Sequence, residues 1–181
     1  VDDASGTATI ALNDSRSNVN DTAVIDFRHN GITGSQIKST AIEDFSTSAN
    51  RSSDLSFHVR NNGTIIDTAH INASGNLGLG VVPAAFNAAS TAVQLSGGHF
   101  YDRTIGETYI GNNSYHDSGD VTRAVNTGLA SNIGFYSGNT IFQSAASVAA
   151  GALSTMVTNM TIDASGRVTQ PYQPSFRVGA T

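Results

Sequence analysis

The sequence predicts an all-β chain, and three observations carry that prediction. Gly- and Asn-rich turn signals recur at roughly the 8–12-residue spacing of all-β proteins, and between them lie about ten short runs in which apolar and polar residues alternate. Two stretches nearly repeat each other: Ile71-Asn72-Ala73-Ser74-Gly75-Asn76-Leu77 and Ile162-Asp163-Ala164-Ser165-Gly166-Arg167-Val168. They stand 91 positions apart (162 − 71). Each reads as strand, tight turn, strand: Asn or Asp bonds its own downstream backbone, and Gly supplies a positive φ. A hairpin duplicated at that distance points to units stacked along an axis rather than a chain wrapped around one pocket. The third observation is scarcity of large side chains. Charged residues make up 13% of the 181, aromatics 7%, and Trp is absent; Ala supplies much of the 39% that is hydrophobic. Ser, Thr and Asn together take roughly a third, well above ordinary globular usage. A barrel or sandwich closed by one chain needs more large aliphatics, so sharing a core between chains is the simpler solution.

The elements follow in order. Residues 7–12 alternate, with Ala8, Ile10 and Leu12 on one face, and 13–22 form a polar loop. Ala23, Ile25 and Phe27 make the next apolar face, closed by the hairpin signal Asn30-Gly31. A less regular strand is expected from Ile37 to Phe45, then a loop over 46–53. Leu55, Phe57 and Val59 alternate cleanly with Ser56, His58 and Arg60. Asn61-Asn62-Gly63 is the strongest turn signal in the chain, and a strand follows to Ile71. Pro83 cannot donate to a ladder and ends the first unit. The Ala-rich stretch 84–92 is weakly helical by propensity. Val93 and Leu95 restart the alternation, and 100–115 holds the densest aromatics. Residues 131–143 form a hairpin pattern about Ser137-Gly138-Asn139, and 144–153 read as a short helix or a packed loop. Met156, Thr158, Met160 and Ile162 lead into the second motif, and the Pro171–Phe176 stretch is extended and rigid.

Several function classes are disfavoured. Net charge is −5, with one Lys (Lys38) and eight Arg and no basic run, so neither nucleic acid nor an anionic membrane is an expected partner. No apolar run approaches the roughly 20 residues that span a bilayer. The N-terminus lacks the basic and apolar regions of a signal peptide. It starts on Val1, so the chain is expected to be a fragment or a processed product. The absence of Cys removes disulfides and thiolate metal sites.

The stretch Thr22–Asn30, then Ile37–Ile42, Asp54–His58, and Ile71–Gly80 with Pro83 resembles the β-repeat of tailed-phage fibre proteins, as seen in marine phages. The closing Asn76-Leu77-Gly78-Leu79-Gly80 is its most specific piece. Met160–Phe176 is similar to the link that precedes a C-terminal cap in such fibres. The resemblance implies an elongated, interwound homotrimeric β-fibre with a triple-stranded β-helix-like shaft and small β modules. It also implies a virion location, on a tail fibre or the capsid surface, and a part in host attachment. Partners would be two further copies, other tail or baseplate proteins, and a host surface glycan or protein. The expected layout is a shaft unit over 1–83, a linker over 84–95, a small β module over 96–159, and a shaft strand over 160–181 leading to a cap. Three chains about one axis would bury narrow faces such as Leu55/Phe57/Val59 against their copies and cover exposed strand edges.

No catalytic, cofactor or metal site is assigned. Glycan cleavage would need two carboxylates about 5–10 Å apart. Glu43 and Asp44 point to opposite faces if they share a strand; Asp102 and Glu107 approach across a turn; Asp117 and Asp120 follow. Solvated surface charge is the plainer reading of all three. His29, His58, His70, His99 and His116 lack metal spacing, although one His per chain on a trimer axis would supply three ligands. The Asp14–Asp21 loop and His116–Asp120 have calcium-type residues without the closing Glu. Gly78 and Gly80 lack the helix and third Gly of a dinucleotide loop, and no Gly-x-Ser-x-Gly elbow occurs. The candidate ligand site is aromatic: Tyr101, Tyr109 and Tyr115, with Asn112, Asn113 and Asp117, suit sugar stacking and hydroxyl bonding. The competing reading makes the same rings the core of a small module. A glycan-cleaving tailspike fragment, a capsid-mounted head fibre and a non-viral adhesin stalk are the alternatives.

Overall fold

A computed structural model describes residues 10–86, 90–104, 106–119 and 121–172. Among these residues the chain is all-β, with fourteen strands and no helix. It divides into two compact units, 1–82 and 83–181.

The first unit is an antiparallel meander of five strands: β1 (Thr22–His29), β2 (Ile32–Ala41), β3 (Ser53–Asn61), β4 (Thr64–Ile71) and β5 (Leu77–Leu79). Its two tight hairpins are those the sequence marks. Asn30-Gly31 and Asn62-Gly63 both adopt positive φ at each central residue (49° and 77°; 47° and 85°), the geometry that matches strand twist. β2 starts and stops earlier than expected. It leaves Ile42–Phe45 in an irregular segment, where Phe45 N–H bonds the Ser17 carbonyl at 2.9 Å. Of the strand expected over 7–12, Ile10, Ala11 and Leu12 are exposed and in no ladder, and 7–9 lie outside the described residues.

The second unit has a main antiparallel sheet in the order β6 (Thr91–Leu95), β7 (Gly98–Thr104), β8 (Glu107–Asn112), β11 (Gly128–Tyr136), β12 (Asn139–Val148), β13 (Val157–Ile162), β14 (Val168–Thr169). A short hairpin, β9 (Ser114–His116) with β10 (Thr122–Ala124), leaves the sheet between β8 and β11. Neither Ala-rich stretch is helical among its described residues: 87–89 lie outside them, and of 144–153 only 149–153 is irregular, as the packed-loop alternative allows. Phe86 bridges Asp117, Thr91 and Ala92 lie in β6, and 144–148 belong to β12. Ala favours a helix only weakly, and ladder pairing on both sides of β12 outweighs that propensity. The segment expected to link, 84–95, thus contains β6 and the buried Phe86.

The core of this unit lies on one face of the sheet. Phe86, Ala92 and Tyr101 are buried together, with Ala84, Tyr109 and Tyr115 packed against them. Gly134 makes room: a Cβ there would lie 2.6 Å from Tyr109 Cε1 and 2.8 Å from Ile141 Cγ1.

Candidate functional site

The aromatic residues singled out from the sequence do come together, as interior packing. Tyr101 is 1% exposed. Its ring stacks on Tyr109 at a centroid distance of 5.3 Å and meets Phe86 at 6.1 Å, and Phe86 in turn meets Tyr115 edge-on at 6.2 Å. The Tyr101 hydroxyl is bonded to His116 Nδ1 at 2.9 Å, and His116 Nε2 to Thr122 Oγ1 at 3.0 Å. Asn113 is a buried hub. Its side-chain amide donates to the carbonyls of Asn126 and Leu129 (3.0 and 2.9 Å), and its Oδ1 accepts Asn126 N–H at 2.7 Å. Asn112 lies on the opposite, outward face of β8, opposed to Ser131. Asp117 accepts the amides of Gly119 (2.9 Å) and Val121 (3.2 Å) and pairs with Arg123, which holds its carboxyl below the usual range.

Those Asp117 bonds reveal a third turn of the duplicated kind. Asn72 Oδ1 accepts the amides two and four residues on, Ser74 (3.1 Å) and Asn76 (3.0 Å), and Asn72 N–H reaches the Asn76 carbonyl at 3.0 Å. Asp163 does the same with Ser165 (2.9 Å), Arg167 (3.0 Å) and the Arg167 carbonyl (3.0 Å). Asp117 repeats the pattern with Gly119, Val121 and the Val121 carbonyl. Sequence comparison misses this copy because Asp120 stands where the other two have Gly75 and Gly166.

The acidic pairs do not converge. Asp102 shares the outward face with Thr108, whereas Glu107 points to the other face and pairs with Arg103 at 2.9 Å. Glu43 accepts Ser52 N–H (3.1 Å) and Asp44 accepts Ser46 N–H (2.8 Å), each holding its own loop. Asp120 lies outside the described residues. Among the described residues no group of three His, Asp or Glu side chains is arranged to hold a metal ion.

The histidines take separate roles. In the first unit His70 lies between two carboxylates, Nδ1 3.0 Å from Asp67 and Nε2 2.8 Å from Asp54. Burial alone would lower its pKa; the two carboxylate bonds outweigh it and raise it. Asp54 also accepts Ala73 N–H at 2.9 Å, which ties β3 to the β4–β5 turn. His58 is bonded to Ser56 at 2.8 Å, and burial lowers its pKa. In the second unit His99 donates through Nδ1 to the Ser114 carbonyl, and burial lowers its pKa to about 4.

The surface left over is the informative one. In the first unit, register places Ile25, Ile37, Phe57, Ala69 and Leu79 side by side across five strands. A second row, Ala23, Ser39, Leu55, Ile71 and Leu77, runs beside it. The reverse face carries Lys38, Ser56, His58, Asp67 and His70. Polarity is therefore inverted: Ser56 and His58 are buried, while Phe57 and Val59 are 39% and 44% exposed. The second unit has an aromatic core on its buried face but likewise leaves an apolar face bare. Tyr101 and Asn132 are buried on one face, and Phe100, Ile110 and Ile133 stand bare on the other.

No family model matches this chain, and neither does any curated protein. Among solved structures it is similar to the carboxy-terminal domain of the bacteriophage T5 L-shaped tail fibre. One such structure includes the intra-molecular chaperone domain; the likeness has 11% identity and a TM-score of 0.48 and covers 99% of this chain and 64% of that one. The other is the carboxy-terminal domain of the same fibre, with 11% identity, a TM-score of 0.48, and coverage of 100% and 92%. This chain spans 64% of the length of the first. Both neighbours come from the same phage tail fibre.

Proposed function

We propose that this chain is a structural segment of a phage tail fibre, a homotrimer on the virion that spaces and presents a host-attachment surface. The bare apolar face of each unit carries the reading. A protomer that buries Ser56, His58, Asn132 and His99 while exposing Phe57, Val59, Phe100 and Ile133 has its apolar faces turned toward other chains. Three copies, each contributing one third of a core, account for the small aromatic and aliphatic content. Its partners are further copies of itself, adjoining tail or baseplate proteins, and a host surface glycan or protein. No covalent chemistry is assigned, because the best-placed carboxylates, Asp102 and Glu107, point to opposite faces of one sheet.

Light scattering of the 181-residue chain tests this. The expected mass is that of three chains. A stable folded monomer overturns the fibre reading.

A further inference from the structure

We propose that the cross-strand column Val93, Phe100, Ile110, Ile133, Phe142 and Met160 lies along the axis of the three-chain assembly, each residue facing its own counterparts, with the strands running crosswise. The proposal rests on the trimer reading above and adds the geometry of the contact. Register sets these six residues directly side by side on β6, β7, β8, β11, β12 and β13. The column runs at right angles to the strands, and every member is large.

Size falls away on both sides of it over most of β7, β8, β11 and β12. In one direction along the strands the neighbouring row is Leu95, Gly98, Asn112, Ser131, Ser144 and Val157, small on β7, β8, β11 and β12 and large only on the outer β6 and β13. In the other direction come Thr91, Asp102, Thr108, Phe135, Thr140 and Ile162, of which Phe135 and Ile162 are large. The small side is a physical hollow: a depression of about 400 Å³ is bordered by Ile110, Asn112, Ser131 and Ile133. Two sheets stacked face to face keep a roughly uniform gap of about 10 Å and require no such gradient. Three sheets closed as a triangle leave most room opposite mid-strand and least toward the corners. Across β7, β8, β11 and β12 the side-chain sizes follow the triangle, Phe135 excepted. Asp102 carries the one charge on this face among the described residues, and it lies toward the strand ends, where the corners meet solvent.

The area suits a second copy as occupant. Leu95, Phe100, Ile110, Leu129, Ile133, Phe135 and Val157 are each between 37% and 70% exposed. At roughly 150–200 Å² per side chain they present about 600 Å², the upper end for a patch on a monomer and close to the ~800 Å² one partner contributes to a stable interface.

Engineered metal binding tests the axis. Ile133→His would place three imidazoles about it, and Thr140→His would place them toward the corners. The expected result is one Ni²⁺ per three chains beyond wild type, with a raised thermal midpoint, for Ile133→His and not for Thr140→His. Ser131→Phe fills a corner and is expected to abolish the three-chain mass, while Ile133→Leu retains it. A wild-type trimer in which Ile133→His gains no nickel, or in which Ser131→Phe assembles normally, overturns the axial placement and leaves the trimer standing. If Ile133→His does not assemble, Ile110→His on the next strand and the Ser131→Phe arm decide. A monomeric wild type overturns the trimer itself.

Discussion

Phe100 and Tyr101 are neighbours in sequence and point to opposite faces of β7: Tyr101 is 1% exposed inside its unit, and Phe100 is 51% exposed. One residue belongs to the fold of the protomer and the other to its surface, so mutations at the two should separate folding from assembly. Tyr101→Ala is expected to cost about 3–5 kcal/mol of protomer stability. Tyr101→Phe keeps the packing and loses the His116 bond, at about 1 kcal/mol. Phe100→Ser should leave protomer secondary structure intact and weaken association. Circular dichroism read beside light scattering over a concentration series checks all three; equal loss of structure in Tyr101→Ala and Phe100→Ser would refute the division.

The duplicated turns predict equivalent responses at two remote sites. Asn72→Ala and Asp163→Ala each strip the acceptor from two amides and should each destabilise the local hairpin by about 1–2 kcal/mol. Asp163→Asn should be nearly neutral, since Asn72 already performs that task in the first unit; its small cost is the lost pairing with Arg167 and should vanish in high salt. Hydrogen exchange of the Ser74, Asn76, Ser165 and Arg167 amides reads the effect directly. Unchanged protection in both alanine variants would mean the side chains do not hold the turns.

Much of this was legible in the sequence because turn chemistry and alternation are local. Asn30-Gly31, Asn62-Gly63 and Ser137-Gly138 each close the hairpin they mark, and the Leu55/Phe57/Val59 alternation gives the exposed face directly. Pairing partners were not legible, since nothing local states that Phe100 stands beside Ile110 and Ile110 beside Ile133. The Ala-rich stretches misled because Ala marks both weak helices and close-packed strands; Ala92 and Ala145 are buried in β6 and β12. The third turn at Asp117 was hidden because its bonds need an Asx side chain and a fitting backbone, and not the Gly that makes the other two recognisable.

Glycine positions give a contrast of cost. A Cβ on Gly98 would lie 2.6 Å from the backbone oxygen of Gly111, which the ladder fixes in place. A Cβ on Gly34 would meet His29 Cδ2 at 2.7 Å, the far end of an exposed side chain that can swing away. Gly98→Ala should therefore destabilise by about 1–3 kcal/mol, and Gly34→Ala should be close to neutral. Thermal denaturation of the two variants decides it, and a neutral Gly98→Ala would show that β7 and β8 lie farther apart than 2.6 Å implies.

The two units should respond to pH in opposite senses through His70 and His99. His70 has a raised pKa, so its contribution is complete below the unfolded value near 6.5 and is lost as pH rises through the folded pKa. The loss frees Asp54 and Asp67 from a cationic partner and loosens the tie between β3 and the β4–β5 turn. His99 has a lowered pKa, so the folded second unit resists protonation. Stability there is complete above about 6.5 and declines as pH falls toward about 4. His58, also lowered by burial, adds an acid-side loss to the first unit, so the alkaline-side loss is the one that isolates His70. Denaturation followed from pH 4 to 9 should show the acid-side slope flattened in His99→Gln and the alkaline-side slope flattened in His70→Gln. A His70→Gln variant that keeps the wild-type alkaline slope would mean that the Asp54–His70–Asp67 cluster is not charged in the folded protein.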